Sequence, residues 1–224
     1  MILHAYNCEL SEIDLSEFVA VLEIERPEIF VNVIEDFTNA TSPAKEVAVE
    51  GEKGLLKASD IFCIHDFVSF DLTSRQLIGK IYKYFDEIVR NDLRLKLSLE
   101  EKISELRNII ESMARFSAAD FYCSEEIDYK EIFSALGLAP LCLFSDPEQK
   151  LIQFLNLCSE LKLCKTLVLV QPKAYISAEK LQEVYRCALA NRIGLIVIDC
   201  VCRKTTLPYE KKICILNDFS DIII

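Results

Sequence analysis

Three small groupings of side chains in this sequence have the residue types for chemistry, and each lacks a component. Cys63, His65 and Asp66 close an apolar run, and strand alternation puts Cys63 and His65 on one face. A cysteine–histidine nucleophile also needs an oxyanion site and groups that converge from separate elements. Neighbours on one strand rarely supply that, so a packed or solvated histidine is the plainer reading. Gly79–Lys80 is the one Gly-Lys pair, but no glycine loop precedes it and Ile81 follows it. With five glycines in the chain, neither the phosphate-binding loop nor the dinucleotide fingerprint occurs. The run LIVIDC ends in Asp199, a place where a strand end can hold a metal, although a lone aspartate there is more often a turn former. An active NTPase is therefore not expected.

Ten cysteines invite a zinc or disulfide reading that their spacing opposes. No C-x-x-C occurs; Cys200 with Cys202 and Cys158 with Cys164 are the closest pairs, and His4 and His65 are the only histidines. Cys63, Cys200 and Cys214 sit in apolar strand-like runs, where free cysteine behaves as a small buried hydrophobe.

Two charged groupings remain. Lys80, Lys83, Arg90 and Arg94 fall within about 80° of one another on a helix, opposite an apolar seam, with Glu87 interrupting the stripe. Such a stripe is either a solvated face or a surface that tracks phosphates. Asp120, Glu125, Glu126 and Asp128 crowd one segment that could offer oxygens to calcium. Helix capping, with Glu131 completing a box for Asp128, and plain solubility explain the same carboxylates.

The elements that must position these groups follow from periodicity. Phe18–Glu23 reads as a strand, and Pro27 opens a helix carrying Ile29, Phe30, Val33, Ile34 and Phe37. Glu46–Val49 and Ile61–His65 read as further strands, with a turn at Gly51–Gly54. No proline then occurs between Pro43 and Pro140, and apolar residues recur every three or four positions. Thr73 with Gln76 forms one capping box and Ser98 with Glu101 another, which predicts two helices bending near Leu95–Ser98. A short helix opens at Asp128 and stops at Gly137. The pattern then returns to α/β: a helix from Asp146–Pro147 to about Leu163, a strand at Leu167–Val170, a helix capped by Ser177, and a strand at Ile193–Asp199. Lys212–Leu216 and Ser220–Ile224 read as a terminal pair. The fold class expected is α/β: one mixed or parallel sheet split by a helical insert, with units at 1–70, 71–137 and 138–224.

Composition limits the functions. A net charge of −11 opposes an all-round basic nucleic-acid binder, while leaving room for a local basic surface. The hydrophobic share of 51% and mean hydropathy of +0.22 point to subunit interfaces. The longest apolar run, Ile193–Cys202, is too short to span a bilayer, and Met1–Tyr6 lacks the features of a signal peptide, so a cytoplasmic oligomer is expected.

Taken together, FVAVLE at Phe18–Glu23, SDIFCIHDFVSFDLTS at Ser59–Ser74, EIFSALGL at Glu131–Leu138, TLVLVQPKAYISAEKLQEV at Thr166–Val184 and the following GLIVID resemble a known family. It is the short form of the ring-forming, DNA-end-binding adaptation protein of type II-A CRISPR loci. The resemblance rests on element order and hydrophobic pattern over nearly the whole chain. It implies a head related in fold to P-loop NTPases without their nucleotide site, with an inserted helical leg. It further implies a homotetrameric ring around double-stranded DNA ends, calcium in support of the assembly, and no catalysis. The implied partners are the CRISPR integrase and the effector nuclease of the same locus, with no membrane. The cysteine count and the short acidic N-terminal stretch depart from that family. Its pore lysines follow no fixed motif, so the four basic residues above are chosen from charge alone. A scaffold that never touches DNA and a residual NTPase subunit are the competing readings.

Overall fold

FVAVLE forms the heart of a parallel sheet because its run is apolar on both faces. A computed structural model of the chain describes residues 1–5, 12–38 and 46–216, together with the backbone of 221–223. Cys8, Ser220 and Ile224 lie outside the described residues. The chain divides into two compact units, Met1–Leu72 with Cys142–Ile224, and Thr73–Leu141.

The first unit is α/β. Strands β3 (Val19–Ile24), β6 (Ile61–Ile64), β7 (Thr166–Val170), β8 (Gly194–Asp199) and β9 (Glu210–Ile215) pair in parallel in the order β9-β3-β8-β7-β6. β10 (Asp221–Ile223) adds an antiparallel edge beside β9. β3, β7 and β8 are buried along their whole length, as central strands covered on both faces must be. One face packs α1 (Pro27–Thr38), through Val33 and Phe37, into a core shared with Leu22, Ile24, Ile196 and Ile198. The opposite face is where α5 (Pro147–Leu161) and α6 (Ala178–Ala190) contribute Leu151, Phe154, Leu181 and Tyr185, all fully buried.

The α/β class expected from sequence holds, and a second sheet adds to it. β1 (Ile2–Ala5), β2 (Glu12–Asp14), β4 (Val47–Gly51) and β5 (Gly54–Leu55) form an antiparallel sheet ordered β2-β1-β4-β5. The Glu46–Val49 run belongs to this sheet rather than to the parallel one, and its buried Val47 and Val49 meet Leu3 and Ile13 in the α1-side core. β4 pairs antiparallel with β1, from which β2, β3 and α1 separate it along the chain.

The second unit is helical: α2 (Arg75–Asn91), α3 (Leu93–Ala114) and α4 (Tyr129–Ala135). Two capping assignments change here. Ser74, not Thr73, is the N-cap of α2, and its side chain makes no cap bond. The break between α2 and α3 falls at Asp92, whose carboxylate accepts from the N–H groups of Arg94 and Leu95 at 2.9 and 3.1 Å. Ser98 is left mid-helix, because a carboxylate that satisfies two orphan amides also meets the positive end of the helix dipole. Asp92→Ala is expected to cost the chain about 1 kcal/mol of unfolding free energy, with Asp92→Asn restoring most of it in urea titrations.

α4 packs on α2: the Phe133 ring lies 6.0 Å from Tyr82 and 6.2 Å from Phe85. It ends as the sequence predicts, with Gly137 at φ +67° and Leu138 N–H donating to Phe133 O at 2.9 Å. α3 buries none of its 22 residues.

Candidate functional site

The densest chemistry lies on the α6 face of the parallel sheet, and strand alternation selects it. Glu210, Lys212 and Cys214 alternate along β9, while Ile213 joins the core on the α1 side. Register sets Lys212 beside Val21, Cys214 beside Glu23, and Asp199 of β8 on the other side of Glu23. Glu23 and Lys212 are fully buried. The Glu23 Oε2 atom lies 3.2 Å from Lys212 Nζ and accepts from the Arg203 N–H at 2.7 Å. Its Oε1 lies 3.3 Å from Lys173 Nζ.

Lys173 Nζ is also 3.1 Å from Glu210 Oε1, which accepts from the Tyr185 hydroxyl at 2.9 Å. Asp199 meets Arg203 at 3.0 Å. Lys212 further donates to the carbonyls of Arg203 and Thr205 at 2.8 and 2.9 Å, tying the β8–β9 connection to the sheet. Three carboxylates thus balance three cations. Burial, opposed by Arg203 and Lys173, raises the Asp199 carboxyl above the ordinary range. Burial and then Glu210 hold the Tyr185 hydroxyl protonated.

Ligands of open α/β sheets bind at the carboxyl ends of the strands. Here those ends carry Glu23 and Asp199, and β3 reaches α1 through Glu25 and Arg26 alone. Two residues cannot form a phosphate loop, and the cations beside these ends are already engaged by the two carboxylates. The sequence reading of Asp199 as a turn former gives way to a buried carboxylate paired with the half-buried Arg203. Asp66 does form a turn, accepting from Val68 and Ser69 N–H. Beside it His65 is exposed, and burial pushes the Cys63 thiol up to about 11, the reverse of what a nucleophile needs.

Cysteines divide by place. Cys158 and Cys164 are buried with their sulfurs 3.5 Å apart. Cys200, expected inside a strand, is exposed because β8 ends at Asp199. Cys202 lies with its Sγ 3.3 Å from Glu23 O, and Cys214 with its Sγ 3.7 Å from Glu23 Oε2. Burial raises both thiols, Cys202 to about 12.

The basic residues named from sequence divide between two helices. Lys83 is exposed and Lys80 half-buried on α2, while Arg94 lies past the Asp92 break in the first turn of α3. Arg90 is engaged: its Nε lies 2.9 Å from both carboxylate oxygens of buried Asp86, and its guanidinium sits 5.9 Å from the Tyr129 ring. A second basic grouping has no signature in the sequence. Lys53, Lys57, Lys162, Lys165 and Arg192 line a cleft of about 880 Å³ in the α/β unit. Lys165 pairs with Asp60 at 3.4 Å, and Lys162 and Arg192 follow the ends of α5 and α6, where positive charge complements the helix dipole.

Asp120, Glu125, Glu126 and Asp128 are all exposed. Asp128 caps α4 through the Lys130 N–H at 2.9 Å, and Arg107 donates to the Glu125 carbonyl at 3.4 Å. Among the described residues one group of three His, Cys, Asp or Glu side chains brings its ligand atoms within 4.8 Å of one another, and it is Glu23, Cys202 and Cys214. The four named carboxylates therefore do not fit calcium, which takes six or more oxygens, within a single chain. Among the described residues no helix is long and apolar enough to cross a membrane.

Comparison with known proteins gives one family and one fold. The model of the family described as CRISPR-associated protein (Cas_Csn2) matches residues 41–218. The crystal structure of Stu0660 of Streptococcus thermophilus superposes with a TM-score of 0.57 at 14% identity, covering 96% of this chain and 75% of that one. At that identity the likeness concerns the fold. No curated protein sequence matches.

Proposed function

The chain belongs to the Cas_Csn2 family of CRISPR-associated proteins, which implies a role in CRISPR adaptation, and from that premise we propose that it binds double-stranded DNA ends without catalysis. The observation that supports the non-catalytic part is that Glu23 and Asp199, at the carboxyl ends of β3 and β8 where an α/β enzyme would take its nucleotide, are paired with Lys212, Lys173 and Arg203. The DNA part rests on the family and on the cations that charge segregation places at the surface of an acidic chain. Four copies form a ring in this reading, and duplex DNA enters it from an end. The ring acts in the cytoplasm beside the integrase and effector nuclease of its locus. Phosphates are held without regard to sequence.

Lys80, Lys83 and Arg94 are the proposed phosphate-binding residues of the helical unit; Arg90 serves Asp86 first. Calcium, implied by the resemblance, has no cage within one chain among the described residues. Glu125 and Glu126 are proposed to contribute only to a site shared between copies.

The test is a mobility shift with linear and closed-circular duplex across a salt titration. Linear DNA is expected to bind and closed circles not. Lys80→Glu with Lys83→Glu should weaken every sequence alike and lower the salt slope by about one unit for each phosphate no longer neutralised. Lys53→Glu with Lys57→Glu, in the cleft, serves as the comparison. Equal binding of circles, or an unchanged slope in the first variant with a reduced one in the second, overturns the assignment. Phosphate release from ATP above background would favour the NTPase reading instead.

A further inference from the structure

We propose that Glu23, Cys202 and Cys214 form a binding site for a thiophilic divalent cation, with zinc as the biological case. The site is independent of the DNA reading. Its three donors arrive from β3, β9 and the β8–β9 connection, and their ligand atoms lie within 4.8 Å of one another. A tetrahedral ion with bonds of about 2.3 Å to sulfur and 2.0 Å to oxygen spaces a sulfur and an oxygen about 3.5 Å apart. Cys214 Sγ and Glu23 Oε2 stand at 3.7 Å before any ion enters.

The carboxylate is already oriented. The Arg203 N–H and the Lys212 ammonium address its Oε2, and Lys173 its Oε1, the arrangement by which outer groups fix a metal ligand. Charge also balances. The surrounding network is neutral, with Glu23, Asp199 and Glu210 against Lys173, Arg203 and Lys212. A divalent ion brings two positive charges, and two thiols release one proton each to solvent as the metal–sulfur bonds form. The buried cluster keeps its net charge, so no uncompensated charge is left in the interior. Two sulfurs in three donors select zinc over calcium, which prefers oxygen alone. Cys202 is half-buried, leaving an approach for the ion and a fourth position for water. Bound metal would pin the β8–β9 connection to the sheet at a second point besides Lys212.

Cobalt(II), a coloured substitute for zinc, tests the site in the full reduced chain stripped of metal. One cobalt per chain should give thiolate-to-metal charge transfer in the near ultraviolet and intense tetrahedral visible bands. Equimolar zinc should bleach both, while excess calcium should not. Cys202→Ser should abolish the charge transfer, whereas Cys200→Ser and Cys164→Ser should retain it. Zinc should raise the thermal midpoint of the parent and not of Cys202→Ser. Cys202→Ser is the primary variant because its position is half-open, and Cys214→Ser, in the core, supports it only if circular dichroism shows it folded. Absence of charge transfer in the parent, its persistence in Cys202→Ser, or displacement of cobalt by calcium overturns the proposal.

Discussion

Lys212→Ala is expected to lower the stability of the α/β unit by about 3–5 kcal/mol, a large effect for one lysine. Lys212 is fully buried, and its ammonium faces Glu23 Oε2 at 3.2 Å and two carbonyls. Removing it leaves Glu23 with the Arg203 N–H and the share of Lys173 that Glu210 does not take, and leaves the carbonyls of Arg203 and Thr205 without that donor. An exposed ion pair of the same length would be worth about 0–1 kcal/mol, because water replaces the partner. Here water is excluded, so the loss is the cost of a stranded buried charge. Lys212→Met combined with Glu23→Gln removes both charges and fills similar volume, and should recover more than half of the deficit. Urea unfolding followed by tyrosine fluorescence reads both variants. A single-variant loss below about 1 kcal/mol would show that the network is solvated.

Leu106→Glu with Ile110→Glu is expected to turn an oligomer into monomers of 25.6 kDa. Leu106, Ile110 and Met113 recur at helical spacing on α3 and are 56, 47 and 66% exposed. No residue of this 22-residue helix is buried; α3 touches α2, and Leu106 and Ile110 share a groove with Ile127 and Ile132, yet these side chains stay about half open or more. A second copy of the chain is the occupant that the family reading supplies. Burying a leucine or isoleucine contributes about 1.5–3 kcal/mol. Two charges in their place should therefore raise the dissociation constant by at least about two orders of magnitude. Light scattering at micromolar concentration measures it, with circular dichroism confirming retained helix. A parent chain that is already monomeric, or a variant of unchanged mass, would remove this surface from the assembly.

Much of the secondary structure is legible in the sequence because apolar period and turn chemistry agree. FVAVLE, TLVLV and GLIVID are continuous apolar runs and form β3, β7 and β8. Pro27, Asp128, Gly137 and Ser177 mark helix ends for local reasons that no tertiary contact overrides. The α2–α3 break is harder to place, because Asp92 and Ser98 are both plausible caps. Choosing between them depends on which amides the preceding helix leaves unpaired. β1 and β2 are not legible, since strands of four and three residues carry too little period to detect. The basic stripe is divided for a related reason: Lys80, Lys83 and Arg90 stay on α2, while Arg94 falls in the first turn of a separate helix beyond Asp92.

What the sequence determined by itself was the class of elements and their order, since helix and strand periods are properties of neighbours along the chain. It also excluded a phosphate loop, because that loop needs glycines the chain does not have in series. Tertiary structure alone decided the chemistry of the interior. Glu23 and Lys173 lie 150 residues apart, both lie well away from the Asp199–Lys212 stretch, and no spacing rule connects these three segments. Parallel register placed Cys214 and Asp199 on either side of Glu23, and the β8–β9 connection carried Cys202 back to the same carboxylate. Alternation made Glu210, Lys212 and Cys214 share a face, but only packing against α6 made that face dry. A buried charge must find its partner wherever the fold puts one, so its pairing is written in the sheet order rather than in the string of residues.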